Sequence, residues 1–173
     1  MCEGADVLLS LASCIGPDAD RCAAVNSAGA AALVAEARRA GVGRIVHLST
    51  CAVYGPGPHR GQDVGELAPA PVSPASAGRL AGEGPVLDAG GLVLRAGLVL
   101  GRGDRWPWRR CLDTLAAVPG WVSERQFTLL ARDHWYRADA AWELAGITPG
   151  PGPLSRIGPA AEWYRERGGA APG

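Results

Sequence analysis

The chain contains no lysine, so all 17 of its basic residues are arginine. No side-chain ammonium, and so no Tyr-x-x-x-Lys sequence, can exist anywhere in it. Charge of either sign is not in excess: 17 arginines face 17 Asp and Glu, for a net charge of zero. That balance gives no footprint for nucleic acid or an anionic membrane. The five cysteines (Cys2, Cys14, Cys22, Cys51, Cys111) are odd in number and form no C-x-x-C pair, which argues against a zinc site or a disulfide framework. No apolar run approaches the roughly 18 residues of a membrane span. Glu3 and Asp6 stand where a signal peptide would carry basic residues, so the expected location is the reducing cytoplasm. There is no Gly-x-Ser-x-Gly elbow, no His-Glu-x-x-His and no Walker sequence. Above all, no glycine-rich turn joins a strand to a helix. Gly55–Gly61 has the wrong spacing and is broken by proline, and Gly41-Val-Gly43 precedes a strand when it should follow one.

What is present is an alternation of apolar runs and alanine-rich stretches. Ala5–Ser13 reads as a buried strand. Pro17 and Asp18 open a helix that runs to Arg39 and stops at Gly41. Arg44–Ser49 is the next strand, and residues 56–71, rich in Gly and Pro, form a long irregular loop. Ser76–Gly84 reads as a short helix and Gly91–Leu100 as a third strand. Arg109–Val118, Ala138–Ala145 and Ala160–Arg167 are helical stretches, and Phe127–Leu130 is a short strand. The β-α-β-α-β order implies an α/β fold with a parallel sheet.

Five short motifs then fall in order. They are Asp6-Val-Leu-Leu-Ser-Leu-Ala12, Val25-Asn-Ser-Ala-Gly29, Arg44-Ile-Val-His-Leu-Ser-Thr50 with Val53-Tyr-Gly55, Ser73-Pro-Ala-Ser-Ala-Gly-Arg-Leu-Ala-Gly-Glu83, and Leu94-Arg-Ala-Gly-Leu-Val-Leu-Gly-Arg-Gly-Asp104. Together they resemble the extended short-chain dehydrogenase/reductase family, the NAD-dependent sugar epimerases and dehydratases. In that family a strand ends in Ser/Thr-x-x-Val-Tyr-Gly, and Ser-Pro-Tyr-x-x-x-Lys-x-x-x-Glu follows about one helix later. The resemblance implies an incomplete Rossmann-like parallel sheet with flanking helices. It divides the chain into a partial NAD(P)-binding domain (1–104), a remnant of the substrate lobe (105–167) and a disordered tail (168–173). Roughly the first 60 residues typical of the family, with the glycine-rich turn, are absent. A gene fragment or misassigned start codon is favoured over a short protein that has abandoned the cofactor.

The resemblance also assigns positions. Thr50 takes the hydroxyl that polarises the substrate oxygen. Ala75 stands where the proton-donating tyrosine belongs, and Arg79 where the lysine belongs. Ala12, Arg79, Ala96, Gly97 and Leu98 are the residues expected near NAD or NADP, which the chain alone is not expected to bind. No metal is implied. His59, in the loop over the presumed cleft, is the best substitute acid, ahead of His134. His47 and Cys51 read as packed residues, and Trp106 and Trp108 as anchors of a loop. By lineage the reaction is that of an NAD(P)-dependent epimerase, dehydratase or reductase on a nucleotide sugar or similar small polar substrate. The alternatives are a pseudoenzyme or interaction module completed by a partner chain, and a cofactor-free lyase or cyclase using the retained pocket. Exposed sheet edges would call for cover by a homodimer partner or another chain.

Overall fold

The structure, a computed structural model, describes residues 2–97, 134–148 and 150. They fall in two compact units, one holding residues up to Gly57 and Gly65–Gly97, the other Pro58–Val64 and the residues after Gly97. Leu98, Trp106, Trp108, Cys111, the expected elements at 109–118, 127–130 and 160–167, and the tail lie outside the described residues.

The first unit is built on a parallel sheet of β1 (Val7–Ser10), β2 (Arg44–Thr50) and β4 (Leu92–Ala96), in the order β1-β2-β4. Leu8 pairs with Ile45 and Ser10 with His47, while Leu48 pairs with Leu94 and Thr50 with Ala96. This is the parallel α/β sheet implied by the alternating pattern. Alternation along β2 turns Ile45, His47 and Ser49 inward, and all three are buried. Ile45 joins Val34, Ala37 and Val86 in the apolar core, with Leu8, Val42, Ala89 and Val93 packed around it. Fully burying a side chain such as Val86 stabilises by about 1.5–3 kcal/mol. The opposite sheet face shows Val7, Leu9, Leu92 and Leu94 to solvent.

The helical stretch after β1 is not one α-helix. It runs as α1 (Ala19–Cys22), a π-helical turn (Ala23–Ala28) and α2 (Gly29–Arg39). Asp18 caps it by accepting from the Arg21 backbone N–H at 2.9 Å. The widened turn faces α3 (Pro74–Asp88), whose Gly78 and Gly82 permit a very close approach. A Cβ at Gly78 would lie 2.9 Å from the Cys22 carbonyl oxygen, and one at Gly82 would lie 2.2 Å from that of Asn26.

Helix α3 is longer than the expected Ser76–Gly84. Ser73 and Ser76 form a reciprocal capping box at its start. The helix also continues through Pro85, which removes one backbone hydrogen bond. Burial of Val86 in the core holds the last turn in place.

The second unit corrects the expectation of an irregular loop over 56–71. Within it, β3 (His59–Gln62) pairs in parallel with β5 (His134–Tyr136). A bulge between Arg60 and Gln62 falls on Gly61, at φ 74°, where a side chain would run into the Trp135 ring. Helix α4 (Asp139–Ala145) ends on the left-handed Gly146.

Gly82→Ala is therefore expected to destabilise the protein by about 1–3 kcal/mol through overpacking. Gly84→Ala, on the same helix with nothing near its Cβ, should stabilise by about 0.5–1 kcal/mol. Urea unfolding of the two variants measures both, and equal effects would sink the close-packing account.

Candidate functional site

Two of the three inward residues of β2 are polar, and each needs a partner. Ser49 donates to Glu83 Oε1 at 2.5 Å. Glu83 is almost fully buried, and its second oxygen meets Arg95 Nη2 at 2.6 Å. Arg95 also donates through Nη1 to the Tyr54 hydroxyl at 2.6 Å and lies over the Tyr54 ring at 4.9 Å. The bond to Glu83 holds the Arg95 pKa above its ordinary value. His47 meets Ser10 Oγ through Nδ1 at 3.0 Å, while its buried Nε2 has no hydrogen-bond partner among the described residues. Burial pushes the His47 pKa below 6.5; Glu83 opposes the shift and Arg79 adds to it.

Of the sites named from sequence, Thr50, Ala96 and Gly97 lie at the C-terminal end of this sheet. Thr50 ends β2 beside Ala96, which ends β4, and Gly97 follows. Thr50 Oγ1 accepts from the Ala52 backbone N–H at 3.2 Å and caps the short 3₁₀ turn Cys51–Tyr54. Its own proton is left to donate. Ala75 sits in the first turn of α3, and its carbonyl accepts from Asn26 Nδ2 at 3.4 Å. One turn on, half-buried Arg79 donates through Nε to Ser13 Oγ at 2.8 Å, and desolvation lowers its pKa. Asn26 accepts from the Cys14 N–H at 2.7 Å and donates to the Cys14 carbonyl at 2.9 Å. Asn26 thus ties the segment after β1 to the helices. Ala12 lies exposed in that segment.

Sequence reasoning missed Ser13 and Ser10, the partners of Arg79 and His47. The one available signal was an inward polar position on β2 in register with another on β1. His59 is not in an open loop: it is a buried residue of β3 in the second unit, its ring 5.3 Å from His134 and 5.6 Å from Tyr136. Cys51 donates to the Arg95 carbonyl at 2.9 Å, and burial pushes its thiol up to about 11. It is therefore no thiolate nucleophile near neutrality. Among the described residues no three His, Cys, Asp or Glu side chains cluster to hold a metal, and no helix is long and apolar enough to cross a membrane.

A dinucleotide needs backbone N–H groups for its pyrophosphate. Neither helix start in the first unit offers them. Asp18 occupies the start of α1 with a carboxylate, and the Ser73–Ser76 box with Pro74 closes that of α3. The described residues therefore do not fit the pyrophosphate.

The family described as the NAD dependent epimerase/dehydratase family matches residues 4–102. No curated protein matches the chain. Among solved structures, it is similar to RMD from Pseudomonas aeruginosa complexed with NADPH, at 26% identity and a TM-score of 0.52, over 58% of this chain and 39% of that one. It shares its fold with dTDP-4-dehydrorhamnose reductase (rfbD) from Bacillus anthracis str. Ames in complex with NADP (21%, TM-score 0.52, over 58% and 38%). WbmH from Bordetella bronchiseptica in complex with NAD+ shares it too (24%, TM-score 0.51, over 56% and 34%). The chain thus spans little more than a third of the length of these structures.

Two outcomes follow from the buried groups. Arg95→Met leaves Glu83 charged without its partner and should cost about 3–5 kcal/mol in chemical denaturation. His47 binds its proton more weakly folded than unfolded. Its contribution to stability is therefore complete above pH 6.5 and is lost as pH falls through the lower folded value. Unfolding midpoints measured between pH 7.5 and 5 should fall less steeply for His47→Gln than for the wild type.

Proposed function

Because this chain belongs to the NAD dependent epimerase/dehydratase family, we propose that it is the sheet-and-catalytic-helix part of an NAD(P)-dependent epimerase, dehydratase or reductase. The substrate class is a nucleotide sugar or a similar small polar molecule, and this chain alone does not turn it over. Solved neighbours in complex with NADPH, NADP and NAD+ support the cofactor class.

The observation that carries the reading is the state of α3. Ala75 has no proton to give, and Arg79, one turn later, is a guanidinium held by Ser13. Thr50 can still donate a hydrogen bond to a substrate oxygen, and Arg79 can still hold a hydroxyl or an anionic oxygen. Neither replaces an acid that gives up its proton in the transition state, a contribution of typically about 10²–10⁴-fold. A second reading, an interaction module completed by a partner chain, is favoured by the solvent-facing Val7, Leu9, Leu92 and Leu94. A parallel sheet ordinarily has both faces covered.

Calorimetric titration of the 173-residue chain with NADH and NADPH tests the proposal. No binding in the micromolar range is expected, and neither is NAD(P)H oxidation against a panel of nucleotide keto-sugars. Micromolar affinity together with turnover would refute the inactivity of the chain alone.

A further inference from the structure

The segment after β1 and the start of the helical stretch each carry a free thiol, Cys14 and Cys22. Cys22 is fully buried and Cys14 is half-buried. The Cys22 Sγ lies 3.9 Å from the Cys14 carbonyl oxygen and 3.7 Å from that of Gly16. Its sulfur therefore rests against the backbone that bears the Cys14 side chain. The two side chains also hydrogen-bond to each other. Burial, and then this bond, raise the Cys22 pKa above its ordinary value. Cys14 is held in place as well: the Asn26 side chain, one turn beyond Cys22, accepts from its N–H at 2.7 Å and donates to its carbonyl at 2.9 Å. Cys51 is engaged elsewhere, with the Arg95 carbonyl of β4.

A disulfide sets its two sulfurs about 2 Å apart, so closure asks the hydrogen-bonded thiols to approach further. The segment has room for that movement. It has no regular structure, and Gly16 sits at φ 142° with nothing near its Cβ position. Closure also strands no polar group at Cys14. When Cys22 loses its S–H, the Cys14 carbonyl keeps Asn26 as its donor. The Asp18 cap of α1 lies inside the short loop that the bond would close, and it needs neither thiol.

We propose that Cys14 and Cys22 are a reversible redox pair, whose disulfide clasps the segment after β1 to the start of the helical stretch. The oxidant is a low-molecular-weight disulfide. Half-buried Cys14 meets it first: its thiolate attacks one sulfur, the S–S bond of the oxidant breaks, and one small thiol leaves. Cys22 then gives up its proton and attacks the Cys14 sulfur, expelling the second small thiol. Two electrons and two protons pass from the protein thiols to the oxidant. The second step is intramolecular, which offsets the low thiolate fraction of a buried cysteine. In a reducing compartment such a bond is transient. The clasp fastens the same segment through which Ser13 holds Arg79. It is independent of the proposed reaction, because it uses neither Thr50 nor Ala75.

The test treats the folded 173-residue chain with oxidised glutathione, blocks the remaining free thiols and maps the cysteines by mass spectrometry after tryptic digestion. Trypsin cuts after Arg21, between the two cysteines, so a peptide holding Cys14 joined to one beginning at Cys22 reports the bond directly. That joined pair is expected as the main product, free of glutathione, and dithiothreitol should reverse it. Cys22→Ser should leave glutathione on Cys14, and Cys14→Ser should leave Cys22 unmodified. Combined Cys2→Ser, Cys51→Ser and Cys111→Ser should not diminish the pair. In concentrated urea the equilibrium yield ratio of disulfide to dithiol should fall at least about tenfold, because the fold no longer holds the thiols together. Glutathione retained on Cys14 of the wild type would overturn the proposal. So would a main product joining either thiol to another cysteine, no reaction at either thiol, or a pair that forms equally well in urea.

Discussion

The buried Glu83–Arg95 pair is the constraint on which the first unit depends. One carboxylate, nearly removed from solvent, receives Ser49 of β2 and Arg95 of β4, and Arg95 passes on to Tyr54 beyond the strand. Four segments (β2, the 3₁₀ turn, α3 and β4) are thereby fixed to one another by charge-assisted bonds. A buried ion pair is weak evidence for stability, because desolvation offsets much of the attraction. Its effect is on uniqueness. With Glu83 held, α3 cannot slide along the sheet without stranding a charge, so the helix register that sets Ala75 and Arg79 is fixed by a residue that takes no part in chemistry.

The second constraint is steric. Gly78 and Gly82 let α3 lie against the carbonyls of Cys22 and Asn26, and the facing helix widens into a π turn over Ala23–Ala28. The buried residue of this turn is Asn26, whose side chain holds both backbone polar groups of Cys14. The segment between Ser10 and Ala19 has no regular structure, yet it is pinned from two sides, by Asn26 and by Arg79 through Ser13. The long planar guanidinium of Arg79 reaches across to the segment after β1 and becomes part of the frame.

How much of this could be read from sequence depends on range. The three parallel strands and the helices between them were legible, because apolar runs and caps are local signals. The family match over residues 4–102 accords with motifs read in order along the same stretch. Helix α3 was read too short because Pro85 is a strong local stop, and the anchor that overrides it, Val86, acts through tertiary burial. The π turn was invisible because its cause lies on another helix. β3 and β5 were missed for a related reason: each has four residues or fewer and is defined by the other across more than seventy positions. The contacts of the site were the least legible. Arg79 finds Ser13 across 66 positions and His47 finds Ser10 across 37, and no spacing rule connects such residues.

Three contacts position the end of the sheet: Thr50 Oγ1 accepts from the Ala52 N–H, Ala96 lies in register beside Thr50, and Glu83 locks α3 to Arg95 of β4. These contacts are also the ones that hold the fold together, so losing any of them would cost stability as well as function. Ala75 is different. Its side chain supports no hydrogen bond, and only its backbone carbonyl is used, by Asn26. A larger side chain at Ala75 would therefore remove no hydrogen bond from the frame, whereas Arg79 can change only to a residue that still fills the gap and finds a partner in Ser13.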